Sequence, residues 1–233
     1  MLGLRLGGSQ LGRALLPATP AEVRFTGRLD GDMSDPTGAD PAVAARRRSI
    51  VDRPWTWLHQ VHGTEVIVVD GPGGGAGHAA DAAVTTAPGT ALAILCADCA
   101  PVALASPEGV IGAAHAGWRG LLAGVIEAAV ASMRRLGATE VAAALGPCIH
   151  PECYAFADPE LGLLAGRLGP SVRARRRDGA PALDLPAAVR AALRRCGAEL
   201  VVDAGVCTAC SAAHWSWRAR AERERQALVV WRP

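Results

Sequence analysis

Residues 81–120 read "DAAVTTAPGTALAILCADCAPVALASPEGVIGAAHAGWRG". Four short apolar runs lie within this stretch: "DAAVTT" (81–86), "TALAILC" (90–96), "PVALAS" (101–106) and "VIGAAH" (110–115). Turn residues separate them, and runs of this length bounded by Gly, Pro and Asp predict strands. Their near-continuous hydrophobicity predicts strands covered on both faces. Too few helices stand between them for a string of βαβ units. The stretch therefore predicts a single α/β (α+β) domain with mixed β-sheet structure flanked by helices, the 90–115 strands lying at its centre.

Working outward, "LLAGVIEAAVASMRRL" (121–136) predicts one amphipathic helix and "EVAAALG" (140–146) a further buried strand. Helices are expected at 158–168 and 184–195, a strand at 199–206 and a terminal strand at "ALVVW" (227–231). Upstream, "TEVIVVD" (64–70) is β-branched and strand-like, and "PAVAARRRSIV" (41–51) suits a short helix. The loop "GPGGGAGH" (71–78) lacks the Lys-Ser/Thr of a P-loop and opens no helix, so it is not read as a phosphate cradle. Residues 1–21 are expected to be an irregular N-terminal segment ahead of a folded domain over 22–233.

The chain has 233 residues, half of them hydrophobic and a fifth charged, which describes a folded globular protein with a sizeable core. Every basic residue is arginine and there is no asparagine, a pattern that fits GC-rich coding rather than a need for guanidinium groups. A net charge of +2 provides no domain-wide basic field, so no nucleic-acid partner is expected. No membrane partner is expected either, because no apolar stretch reaches spanning length without Pro, Gly clusters or charge. The N-terminus has no uninterrupted apolar signal region, and the seven cysteines are an odd number. Both features predict reduced thiols in a cytoplasmic protein.

Three segments place a His or Cys at a strand edge among small residues: "LHQVHGTEV" (58–66), "LCADCAPVAL" (95–104) and "AAHAGWRG" (113–120). Two imidazoles and a thiolate from His62, His115 and Cys99 would make a three-ligand zinc site with an open fourth position, as catalytic zinc requires. Their spacing matches no compact ligand signature, and it fits equally a core cysteine with two hydrogen-bonded histidines. A Cys99/His115 nucleophile–base pair, as in a hydrolase or acyl-transfer enzyme, is a third reading. "CADC" (96–99) and "CTAC" (207–210) share the CxxC spacing, yet Cys96 sits in an apolar strand and no second pair completes a Cys₄ site with 207–210. Cys148, after a Gly-Pro turn, reads as structural. Arg119 stands where the 121–136 helix begins, a place that favours an anion such as phosphate. Arg48 ends the run "ARRRS", and such a run usually forms a solvated helix face.

The segments "QVHG" (60–63), "ADC-PV" (97–102), "AAHAGWRG" (113–120), "GPCI-PECY" (146–154) and "RQALVVW" (225–231) occur in an order that resembles the YfiH/YlmD family, whose members are labelled in places polyphenol oxidase or laccase-domain proteins. The resemblance spans roughly residues 22 to 231. Cys96 stands where the family often has threonine, and 214–226 replaces its usual Phe-Phe-Ser-Tyr-Arg segment. The resemblance implies a YfiH-like fold and a cytoplasmic zinc enzyme of purine nucleoside metabolism. Such an enzyme phosphorolyses adenosine, inosine and methylthioadenosine and also deaminates adenosine. It implies His62, Cys99 and His115 as metal ligands and catalytic groups; Arg119 at the helix start, Arg48 and Gln60 are the expected substrate-binding residues. Asp98, next to a ligand, is the candidate general acid. A His₂Cys set also accepts copper, but six histidines without a His-x-His pair cannot build a multicopper centre. Purine nucleosides and phosphate are the expected partners.

Overall fold

The computed structural model describes residues 14–15, 19–35 and 37–232, so most of the expected N-terminal segment lies outside the described residues. Thirteen strands and six α-helices are present among them. The strands are β1 (Ala14–Leu15), β2 (Glu22–Phe25), β3 (Trp55–Trp57), β4 (Val66–Val68), β5 (Ala82–Thr85), β6 (Ala91–Cys96), β7 (Ala100–Ala105), β8 (Ile111–Ala116), β9 (Ala142–Leu145), β10 (Arg173–Arg175), β11 (Pro181–Leu183), β12 (Glu199–Asp203) and β13 (Gln226–Trp231). The helices are α1 (Pro41–Ile50), α2 (Trp118–Ala123), α3 (Val125–Arg135), α4 (Asp158–Leu168), α5 (Leu185–Arg195) and α6 (Trp217–Arg220).

The four strands of the central stretch fall into two sheets rather than one. β6 joins a five-stranded sheet of order β1-β2-β13-β6-β3, whereas β5, β7 and β8 join a six-stranded sheet of order β12-β9-β7-β8-β5-β4. Both sheets are mixed: β3 runs parallel to β6, β4 to β5 and β12 to β9, while the other ladders are antiparallel. The side-chain period of two then sorts every strand between two cores. In β7, Ala103 and Ala105 pack with Leu92, Ile94, Leu228 and Val230 of the other sheet. Val102 and Leu104 pack instead under α3 and α5, against Ile126, Val130 and Val189. In β6, Leu92 and Ile94 face the six-stranded sheet, and Ala91 and Ala93 face Met33, Val51 and Trp55 on the α1 side. The layers thus run α1, sheet, sheet, helices. This is the expected mixed-sheet domain flanked by helices, with both faces of the central strands covered.

The helix expected over 121–136 is two helices. Gly124 adopts a left-handed conformation (φ +103°), ending α2 and starting α3. An αL residue breaks the i→i−4 ladder, and glycine adopts it without the Cβ penalty. α4 and α5 match their expected spans within a residue, α5 being capped by Asp184 Oδ1, which accepts from Ala187 N. β2, β3 and the β10–β11 hairpin carry no strand signal that stands out in sequence. β2 has four residues and acquires its pairing from β13, some two hundred positions later. Among the described residues no helix is long and apolar enough to cross a membrane.

Candidate metal centre

β7 and β8 pair antiparallel with Ala100 opposite Ala116 and Pro101 opposite His115. Cys99 enters β7 and His115 is next to last in β8, so strand register alone brings them to one sheet end. His62 comes from the loop between β3 and β4. The ligand atoms of His62, Cys99 and His115 all lie within 4.8 Å of one another. Cys99 Sγ is 3.7 Å from His62 Nε2, and the two imidazoles meet edge to face with centroids 4.8 Å apart.

Asp81, buried at the threshold of β5, organises this group. Its carboxylate lies 2.8 Å from His115 Nδ1 and accepts backbone N–H groups of Val61, His62 and Gly63. With Nδ1 engaged, Nε2 is the nitrogen that His115 presents to the other two side chains. The same carboxylate supports His62 in the left-handed region (φ +61°). Gly117, immediately after β8, leaves the space the group needs: a Cβ there would stand 2.8 Å from the His62 ring and 3.2 Å from Cys99 Sγ. Burial pushes the Cys99 thiol pKa up, but the charge of His115 and hydrogen bonds from both imidazoles outweigh it and bring it down. Desolvation works against an imidazolium at His115, yet Cys99 and Asp81 raise its pKa. A thiolate facing imidazoles is a soft/borderline donor set suited to Zn²⁺.

The three side chains line a cleft of about 520 Å³ together with Ser34, Asp35, Trp57, His59, Gln60, Trp217 and Arg225. That volume suits a small molecule. Gln60 is on this wall, with both ends of its amide bonded to the backbone of Leu95. Asp98 is not on the wall. Its carboxylate accepts from the hydroxyls of Thr208 and Ser216 and from Arg218 N, at 2.6–2.7 Å, and it adopts a left-handed φ of +112°. This engagement leaves it a structural anchor for Cys99 rather than a free proton donor. Arg119 and Arg48 are also absent from the cleft. The Arg119 guanidinium lies 4.5 Å over the Trp118 ring, and Arg48 lines a separate depression with Arg47, Arg53 and Trp55. Sequence reasoning missed Asp81, Trp217 and Arg225. For Asp81 the available signal was an acid opening an otherwise apolar strand.

A family model described as multi-copper polyphenol oxidoreductase laccase matches residues 28–233. The chain belongs to this family. A Streptomyces coelicolor relative named purine nucleoside phosphorylase is 40% identical over 218 residues, covering 92% of this chain and 90% of that one. Neisseria meningitidis protein NMB0706, assigned to DUF152, superposes with a TM-score of 0.81 at 27% identity, covering 94% of this chain and 98% of that chain. YlmD from Geobacillus stearothermophilus gives a TM-score of 0.73 at 27% identity, with 91% of each chain covered. The chemistry in the laccase family's description does not fit these residues. The described residues contain two groups able to hold a metal, and the cleft group offers two histidines and one cysteine. A multicopper centre needs a histidine-rich cluster beside its blue-copper site.

Proposed function

We propose that this chain is a zinc-dependent purine nucleoside phosphorylase acting on adenosine, inosine and methylthioadenosine, with adenosine deaminase activity. The observation that carries the reading is the meeting of His62, Cys99 and His115 on the wall of a cleft flanked by the indoles of Trp57 and Trp217. Relatives named purine nucleoside phosphorylase cover nine-tenths of the chain and support the substrate class.

His62, Cys99 and His115 would hold the metal, which supplies a Lewis acid at neutral pH when bound. Asp81 keeps the proton of His115 on Nδ1. Trp217, 53% exposed at the cleft mouth, offers a flat apolar face on which a purine stacks. Arg225 is the arginine on the wall and the group we assign to phosphate, in place of Arg119. Gln60, with its amide tied to β6, places the 58–62 loop and so His62. For phosphorolysis the chain must hold phosphate near the anomeric carbon. For deamination it must hold water near the purine ring, and both demands fall on one cleft.

Incubation with adenosine and phosphate is expected to yield adenine and ribose 1-phosphate, with inosine from the parallel deamination. Omitting phosphate should abolish adenine release and spare inosine. His115→Ala should suppress both products at least about 100-fold, more than loss of a supporting residue usually costs. Loss of only one product would separate the two reactions. Absence of both from the metal-loaded wild type would overturn the reading and leave the Cys99/His hydrolase, which the lowered Cys99 thiol favours.

A further inference from the structure

A second group of metal-ligating side chains lies outside the cleft and takes no part in the chemistry above. Glu152 and Cys153 come from the turn after β9, and Cys207 and Cys210 from the "CTAC" turn after β12. The two turns face each other because residues 148 and 207 form a parallel bridge, with Cys148 N donating to Val206 O and Thr208 N to Cys148 O. One ligand atom from each of the four residues lies within 4.8 Å of all the others. Cys153 Sγ is 3.3 Å from Cys210 Sγ, and Cys210 Sγ is 3.7 Å from Glu152 Oε1. The His150 backbone N–H donates to Cys207 Sγ from 3.4 Å. In sequence the CxxC pair has no second pair at matching distance; the fold supplies partners from a turn more than fifty residues away.

We propose that Glu152, Cys153, Cys207 and Cys210 form a second, structural zinc site. A tetrahedral ion with Zn–S bonds of about 2.3 Å holds its sulfurs about 3.8 Å apart; Cys153 Sγ and Cys210 Sγ stand at 3.3 Å, and all four ligand atoms lie within 4.8 Å of one another. Three thiolates and a carboxylate fill all four positions, so the site is closed and not catalytic. Binding releases the thiol protons to solvent and oxidises nothing. The competing arrangement, a Cys153–Cys210 disulfide, needs the sulfurs at about 2.05 Å and leaves Cys207 and Glu152 without a role. The site is linked to the cleft through Asp98. Thr208, next to Cys207, donates its hydroxyl to Asp98, and Ser216 and Arg218 of the same segment hold the other positions on that carboxylate. The ion would clasp the two turns that fix Asp98, and through it the backbone at Cys99.

The test is metal content, measured by elemental analysis after zinc loading under reducing conditions and removal of free metal. Wild type should hold two equivalents. Cys210→Ser, at an exposed position, should hold about one. Cys99→Ala/His115→Ala should also hold one, and when loaded with Co²⁺ it should show thiolate-to-cobalt charge transfer that disappears on adding Cys207→Ser. Unchanged zinc in Cys210→Ser would overturn the proposal, as would a Cys99→Ala/His115→Ala protein that is folded by circular dichroism yet takes up no metal. The result does not depend on nucleoside turnover, so the cleft's function and this site can fail separately.

Discussion

Asp81 satisfies four donors with one carboxylate: the imidazole of His115 and three consecutive backbone N–H groups that include the one of His62. Two of the three proposed ligands are therefore oriented by a residue that touches no substrate. An asparagine would keep the shape but lose one acceptor oxygen, and its amide would point a donor at groups that are themselves donors. Asp81→Asn is expected to weaken zinc binding about 10–100-fold, the usual range for a partner that orients a ligating histidine. Competition against a chromogenic chelator measures it. Unchanged affinity would show that His115 is not held by this contact. Burial pushes the Asp81 pKa up, but the His115 hydrogen bond and the backbone donors bring it below the ordinary carboxylate range. That contribution to stability is present above the ordinary carboxylate pKa and is lost as pH falls through the lowered one.

At the level of elements, the break at Gly124 separates α2, which follows β8, from α3, which packs on the six-stranded sheet. Gly117 belongs to the start of α2, so the course of this short helix determines how closely the backbone approaches His62 and Cys99. An added methyl at Gly124 would have a left-handed φ and stand 2.6 Å from Arg167 Nη2, disturbing the Arg167–Glu127 ion pair. Gly124→Ala is expected to cost about 1–2 kcal/mol of stability, mostly from backbone strain. Urea denaturation measures this, and a cost near zero would mean the helix joint relaxes freely. From sequence, 121–136 read as one amphipathic helix because its apolar positions do keep helical spacing across the joint. An isolated glycine inside such a pattern does not announce a left-handed turn.

Across the whole molecule, stability depends on two sheets meeting through small side chains. Ala83, Ala103, Ala113 and Ala144 of the six-stranded sheet face Leu92, Ile94, Leu228 and Val230 of the other, all essentially inaccessible to solvent. Small residues on one side and branched ones on the other allow close approach without voids. Ala103→Leu adds volume where neither sheet can yield, and it is expected to destabilise the protein by about 1–3 kcal/mol. Thermal unfolding would show it as a lower Tm. A neutral result would mean that the gap between the sheets holds space the packing does not suggest.

The identity of the central strands, the covering of both their faces and the candidacy of His62, Cys99 and His115 could be read from the sequence alone. Near-continuous apolar runs between turn residues, and small residues beside a His or Cys, are local patterns written within a few positions. The division of the four central strands between two sheets could not be read, because Ala91–Cys96 and Ala100–Ala105 look alike until each finds its partners. Nor could the roles of Asp81, Asp98, Trp217 and the 152–153/207–210 group, since each depends on segments far apart in the chain. Arg119 shows the limit in the other direction: its place beside the ligands in sequence suggested a phosphate contact, and its rotamer lays it on Trp118 instead. Hydrophobic pattern decides which residues are buried and which elements form; only closure of the chain in three dimensions decides which polar side chains meet.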